Sequence, residues 1–311
     1  MKVILDAGRL PERYRNVVVA IGVFDGVHRG HQRVIGRAVD EARRIKGTSV
    51  VVTFHPHPVA VLNPDQFSGY IISLEYRLRL IKALGVDVCY VVPFSKKFAR
   101  SSASDFAAGF LKEKLRTVKI VVGEDFNFGS RRQGTADTFS GYGLSVEKVP
   151  LLKINNTNIK SKVIKEFIHE GELNRLKVFL GRDYGVFAEV ERGERVGRRL
   201  GFPTANLKRQ VRENVILLPP GIYIARVTMG EKKHPAVFYI GTRPTIKKHH
   251  GIVALEAHVL DFKGDLYGKK ILVEFLKKLR NDKMFSDENA LVCAIAHDIA
   301  RARSYFKKNP A

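Results

Sequence analysis

Cysteine is scarce in this chain: its 311 residues include two, Cys89 and Cys293. Two thiols cannot staple a chain of this length, and no Cys-x-x-Cys or Cys/His metal spacing occurs. Both lie in apolar stretches, "GVDVCYVV" and "ALVCAIAH", so both are expected to be buried, reduced thiols. Long apolar runs are missing as well, and no stretch approaches the length needed to span a bilayer. The opening "MKVILDAGRLPERYR" has too short an apolar run for a secretory signal, and acidic residues interrupt its basic ones. A cytoplasmic location with no membrane partner is the resulting expectation. Internal repeats and low-complexity tracts are absent too. Acidic residues are the last scarcity: 31 Asp and Glu against 54 Lys and Arg leave a net charge of +23. That surplus favours anionic partners, among them nucleotides, nucleic acid and acidic surfaces, without choosing between them.

What the chain does have is enough apolar material, 45% of its residues, for sizeable cores. Its length favours two domains. The first part alternates strand-like and helix-like segments. "VVVAIGVF", "TSVVVTF", "VDVCYVVPF" and "TVKIVVGEDF" read as buried strands, and "HQRVIGRAVDEARRIKG", "LEYRLRLIKALG" and "SASDFAAGFLKEKL" as helices between them. Such alternation predicts a doubly wound parallel sheet, with ligands beyond the carboxyl ends of its strands. The polar "LLKINNTNIKSK" reads as a connector, and "KVIKEFIHEGELNRLKVFLGR" as two short helices meeting near Gly171. From Tyr184 onward short strands and turns predict a small β-barrel, followed by a helix capped by Ser286 or Asp287. The fold class is therefore α/β plus mainly β, with an α/β domain over residues 1–182 and a barrel with a C-terminal helix over 183–311.

The string "IGVFDGVHRGHQ", residues 21–32, follows the first of those strands. Gly22, Gly26 and Gly30 permit a tight turn and close backbone approach to a ligand. The helix beginning near His31 aims its unpaired N–H groups into the same space, so His28 and His31 can converge on one anion. Imidazole donors there suit a phosphoryl group that gains negative charge under attack. No nucleophile triad is apparent.

"FDGVHRGH" contains the HxGH element of the nucleotidyltransferase superfamily. The longer "GVFDGVHRGHQ", with "TFHPHP" (53–58) and "VVGEDFNFGSRRQG" (121–134) following in order, resembles the bacterial bifunctional riboflavin kinase and FAD synthetase family. The resemblance implies that His28 and His31 hold ATP phosphates and act in catalysis. It also implies that Gly22, Phe24, Asp25, Gly26, Gly30, His57, Asp125 and Asn127 lie around the nucleotide. Phe54, Phe126 and Phe128 are pocket or core aromatics. The family carries a Ser-Ser-Thr-Arg-Ile-Arg-like string before its connecting helices, and here "IKSKVIK" (159–165) stands in its place. Ser161 and Lys165 are the implied phosphate-binding residues of that string, with Lys160 and Lys162 replacing hydroxyl residues. Lysine keeps the charge of arginine and loses its planar fork.

In the second half "GRRLGFPTANL" (197–207) places a hydroxyl two residues before an amide oxygen, hard ligands suited to Mg²⁺. "LPPGIYIARV", "YIGTRPTI", "LEAHVLDFKGDLYGKKI" and "LRNDKMF" follow in the order of the riboflavin kinase family. By that resemblance Thr204 and Asn206 bind Mg²⁺ and ATP phosphates, and Glu256 takes the proton of riboflavin's ribityl 5′-hydroxyl. Gly197, Gly201 and Pro203 shape the nucleotide loop, and Arg280 lies near the flavin. Strand alternation makes Glu256 an inward residue, sharing a face with His258 and Leu260 and opposed to Leu255, Ala257 and Val259. Tyr239 stands where the family places Asn.

The implied activity is ATP- and Mg²⁺-dependent phosphorylation of riboflavin to FMN, then adenylyl transfer from ATP to FMN, giving FAD and pyrophosphate. Its partners are small molecules. Two other readings stand beside it: a kinase with a degenerate, weak or silent first domain, motivated by "IKSKVIK", and a nucleic-acid-binding regulator of flavin genes, motivated by charge alone.

Overall fold

A computed structural model of the chain describes residues 1–5, 8–130, 133–193, 196–208, 214–242 and 253–310. It divides into two compact units, Met1–Val163 and Ile164–Ala311.

The first unit runs β1 (Lys2–Leu5), β2 (Val17–Ile21), α1 (Arg29–Arg44), β3 (Thr48–His55), α2 (Pro58–Leu62), α3 (Leu74–Ala83), β4 (Val88–Pro93) and α4 (Lys96–Ala99). A π-helix over Asp105–Lys114 leads to β5 (Thr117–Gly123), the hairpin β6 (Asn127–Phe128) and β7 (Gly134–Thr135), and β8 (Ser145–Val149). Six strands form one parallel sheet in the order β1-β4-β3-β2-β5-β8. Every residue of β2 is buried, as expected of a central parallel strand covered on both faces. From β2 the chain steps one way to β3 and β4, then returns to β5 and β8 on the other side. The order therefore reverses between β2 and β5, and a crevice opens beyond their carboxyl ends.

Sequence reading found four of these strands. The edge strands β1 and β8 are short and partly exposed, "KVIL" and "SVEKV", and lack the apolar run that marks the others. The segment expected to be an ordinary helix over 102–115 is instead a π-helix over Asp105–Lys114, burying Phe106, Ala107 and Leu111. Within the polar connector, β9 (Lys153–Ile154) and β10 (Thr157–Asn158) form a small hairpin. Its two turn residues, Asn155 and Asn156, adopt positive φ angles of 48° and 61°.

Helix α1 is fixed to the sheet by charge as well as by apolar packing. Its Glu41 side chain, 2% exposed, pairs with Arg44 at 2.8 Å and with Lys119 of β5 at 3.0 Å. Hydrogen bonds from Arg44 and then Lys119 pull the Glu41 carboxyl down to about 2. A depressed carboxylate stabilises the fold above its unfolded titration range near pH 4.5, and that contribution fades as pH falls through about 2. Glu41→Gln should therefore melt below the wild type at pH 7, with the gap in melting temperature closing as the pH is lowered toward 2. Thermal unfolding followed by circular dichroism at several pH values measures this.

The second unit contains most of α5 (Ser161–Glu170), then α6 (Leu173–Leu180), β11 (Tyr184–Glu191) and α7 (Val196–Arg199). β12 (Ala205–Leu207), β13 (Gly221–Met229), β14 (Lys232–Thr242), β15 (Val253–Val259), β16 (Lys270–Asn281) and α8 (Glu288–Lys308) complete it. The helix pair α5–α6 meets at Gly171 (φ 75°), as expected. The division between the compact units falls within α5, and α6 packs on β11 and β16. Six antiparallel strands close a barrel in the order β11-β12-β15-β14-β13-β16. Tyr223, Phe238 and Phe275 meet edge to face in its interior. Along the outside lies α8, whose Ile295, Ile299, Ala302 and Tyr305 pack with Ile222, Val237 and Tyr239. Asp287 is its cap, accepting from the Ala290 N–H at 2.8 Å.

The two cysteines differ. Cys89 is buried in β4, where burial pushes its thiol up to about 12. Cys293 is exposed, which corrects the expectation of two buried thiols. The α8 face that packs on the barrel is carried by Ile295 and Ile299, and at 100° per residue Cys293 points the other way.

Candidate active sites

At the end of β2 the backbone turns sharply, with Phe24, Gly26 and Val27 at φ 51°, 84° and 41°. For a phenylalanine and a β-branched valine that region is costly and must be held from outside. The Val23 carbonyl accepts from Thr53 Oγ1 at 2.8 Å and from the buried Arg77 Nη1 at 2.6 Å. Both oxygens of Asp25, 1% exposed, accept from the Ile71 N–H at 3.0 and 3.1 Å.

The pinned turn delivers His28 to the amino end of α1. There its Nδ1 accepts the His31 N–H at 3.2 Å, and the two imidazoles stack with centroids 3.5 Å apart. Phe24 meets His31 edge-on at 5.3 Å. A side chain at position 30 would press within 3.2 Å of the His28 ring, so glycine leaves the imidazole its place.

These groups line a cavity of about 690 Å³ within the first unit. Gly22, Phe24, His28, Gly30, His31, His57, Asp125, Asn127 and Ser161 of the expected residues all border it. Asp25 and Gly26 do not. The Asp25 carboxylate accepts from the Ile71 N–H and Gly26 abuts the Ile71 side chain, so both brace the turn that carries the lining residues. Lys165 is not among the lining residues either; it follows Ser161 by one turn of α5.

His57 caps α2, its Nδ1 accepting from the Val59 N–H at 3.1 Å. Asn127 Nδ2 donates to the Asp125 carbonyl at 2.9 Å, and Ser161 Oγ donates to the Asp25 carbonyl at 3.3 Å. Phe54, Phe126 and Phe128 both line the cavity and pack on the core. Sequence reading missed Lys160 as a site residue. It borders the cavity and holds Asp125 at 2.9 Å, and its adjacency to Ser161 was the available signal.

In the second unit the expected residues gather on the barrel's outer surface. Thr204 Oγ1 donates to Glu256 Oε2 at 3.0 Å. Asn206 of β12 lies directly opposite Glu256 of β15, and Tyr239 of β14 opposes it from the other side. Directly opposed residues share a face, so Asn206, Glu256 and Tyr239 form one row. The row continues through Ile222 to Arg280. The alternation in "LEAHVL" holds but its sense is reversed: Ala257 opposes the interior Phe238, so Glu256 faces outward. The outer face is a partly buried one, because α8 packs along it over Ile222 and Tyr239.

Around this row the chain closes tightly. A side chain at Gly197 would come 2.5 Å from the Phe202 carbonyl and 3.1 Å from Thr204 Oγ1. Gly201 turns the chain at φ 86°, and the Pro203 carbonyl lies 2.8 Å from His258 Nδ1. Arg280 is held by Asp298 of α8 at 2.8 Å and lies 5.5 Å over the Phe285 ring. Tyr239 Oη donates to Asp282 Oδ2 at 3.1 Å, which fixes the start of the 282–286 segment. Residues 243–246 of the "YIGTRPTI" string lie outside the described residues.

Each unit thus carries its own site: stacked histidines at a helix amino end in one, a carboxylate with hydroxyl and amide oxygens in the other. Known proteins divide the same way. A FAD synthetase family model matches residues 10–163, and a riboflavin kinase model matches residues 180–306. The bifunctional riboflavin kinase/FMN adenylyltransferase of Escherichia coli K12 is 34% identical over 297 residues, covering 93% of this chain and 92% of that one. The protein of that name from Bacillus subtilis strain 168 is 33% identical over 303 residues, covering 96% and 95%. A crystal structure described as a macrolide-efflux protein from Streptococcus pneumoniae superposes with a TM-score of 0.85 at 29% identity, over 97% of this chain and 99% of that one. Among the described residues here, no helix is long and apolar enough to cross a membrane. By both halves of its sequence, the chain belongs to the bifunctional riboflavin kinase/FMN adenylyltransferase family.

Proposed function

We propose that the second unit phosphorylates riboflavin to FMN and the first adenylylates FMN to FAD. In the second unit Glu256 accepts the proton of the ribityl 5′-hydroxyl as its oxygen attacks the terminal phosphorus of ATP and ADP departs. Thr204 Oγ1, hydrogen-bonded to that carboxylate, orients it. Thr204 and Asn206 would also hold Mg²⁺. Their hard oxygens, brought beside the Glu256 carboxylate, fit the ion. When bound, the ion neutralises phosphate charge.

In the first unit a phosphate oxygen of FMN attacks the α-phosphorus of ATP, and pyrophosphate leaves. Little covalent work falls to the protein, so placement and charge stabilisation dominate. His28, His31 and the positive amino end of α1 are the groups suited to stabilise that growing charge. The aromatic side of the cavity suits a flat ring system. Both reactions draw on ATP and need no membrane, which supports a cytoplasmic setting.

The observation that carries this reading is the Thr204–Glu256 hydrogen bond, which joins a hydroxyl and a carboxylate 52 residues apart beside Asn206. Purified protein given riboflavin, ATP and Mg²⁺ should yield FMN first and FAD later, resolved by chromatography. Riboflavin returned unchanged would overturn the assignment.

A further inference from the structure

The row of residues outside the barrel has a direction. It runs from Asn206 and Glu256 through Tyr239 and Ile222 to Arg280. In the proposed reaction the phosphates of ATP meet Thr204 and Asn206, and the attacking hydroxyl meets Glu256. The rest of riboflavin therefore extends toward the Arg280 end. There the chain leaves β16 and crosses residues 282–285 without helix or strand. That stretch carries the half-buried Phe285, with the Arg280 guanidinium over its ring at 5.5 Å and the Lys283 ammonium at 5.0 Å. An aromatic side chain at this end suits a flat ring system.

An irregular segment costs conformational entropy to order on binding, unless something orders it beforehand. Here one carboxylate does so. Asp282 Oδ1 accepts the Lys283 N–H at 2.9 Å, which fixes the backbone of the segment itself. Its Oδ2 accepts from Tyr239 Oη at 3.1 Å, which ties that backbone to β14. Gly241, two residues along the same face of β14, leaves room for the pair. Any side chain there would collide with both the Tyr239 hydroxyl and the Asp282 carboxylate. Asparagine, which the family places at position 239, is too short to carry a donor that far, so the tie depends on the tyrosine.

We infer that Tyr239 is a positioning residue for the second unit's reaction. Through Asp282 its hydroxyl holds the 282–285 segment, and with it Phe285, where the ring of riboflavin arrives. The inference rests on the riboflavin-phosphorylation reading of that unit.

The test compares Tyr239→Phe, Asp282→Ala and the double variant with wild type. Tyr239→Phe keeps the ring that packs with Ile222 and α8 and loses only the hydroxyl. It should raise the KM for riboflavin about tenfold, the lower end of the range for losing a hydrogen bond to a charged group. Its kcat and its KM for ATP should stay within twofold of wild type. Asp282→Ala should raise the riboflavin KM at least as much, and adding Tyr239→Phe to it should change nothing further, because both act through one contact. A riboflavin KM within twofold of wild type in Tyr239→Phe would overturn the inference. So would KM values for riboflavin and ATP that rise together, or a double variant in which the two losses multiply.

If the wild type made no FMN, the phosphorylation reading would fall by itself. Trypsin cleavage after the exposed Lys283, followed by mass spectrometry, would still decide the role of Tyr239. Cleavage severalfold faster in Tyr239→Phe than in wild type supports the tie, and equal cleavage rejects it.

Discussion

Glu256→Gln should lower FMN formation by a factor of about a hundred to ten thousand, the range that a positioned general base contributes. Glutamine keeps the shape and retains an oxygen to accept from Thr204 Oγ1, so the 3.0 Å contact and the row formed with Asn206 and Tyr239 persist. What it lacks is a group able to take the hydroxyl proton. Glu256→Asp offers a second measure: the carboxylate remains but withdraws by one methylene, so its loss reports placement instead of basicity. FAD formation from supplied FMN should be unaffected in both variants, because the stacked histidines and their cavity belong to the other unit. Riboflavin turnover within twofold of wild type in Glu256→Gln would remove the carboxylate from the chemistry. Loss of both products would instead show that the two reactions share a site.

Much of this arrangement is legible in the sequence, and the illegible parts have a common cause. β2 and α1 announce themselves through an unbroken apolar run, a glycine turn and a helical period, all local signals. The short β12 could not be seen that way. It owes its strand pairing to β11, which precedes it, and to β15, which follows only after two further strands. Asp25 lies in the motif that points to the cavity, yet its carboxylate turns to a backbone N–H 46 residues away. Nothing in the neighbouring sequence encodes that partner. The sense of the Glu256 alternation failed for a related reason. Alternation separates two faces without saying which is inside, and α8 makes the outer face of this barrel partly apolar as well. Lys160 was visible only as a departure from a family string. Its place at the cavity, held by Asp125, needed the fold.

His28 does two jobs, and its substitution has to separate them. Its Nδ1 caps α1 by accepting the His31 N–H, and its ring stacks on His31 at the cavity. His28→Ala removes both functions, and the lost cap alone costs about 1 kcal/mol of helix stability. His28→Asn restores an acceptor suited to the cap while withholding the imidazole. If the imidazole stabilises charge growing on the phosphoryl oxygens, both variants should slow FAD formation from FMN and ATP by about a hundredfold to a thousandfold. His28→Asn should nevertheless melt close to the wild type. FMN formation from riboflavin should persist in both, since no residue of that site lies in the first unit. An asparagine variant that makes FAD at the wild-type rate would show that His28 serves only to start the helix. The charge would then fall to His31, Lys160 and the N–H groups of α1. A rate lost equally in both variants, with the melting temperature lost only in alanine, places the imidazole at the reacting phosphate.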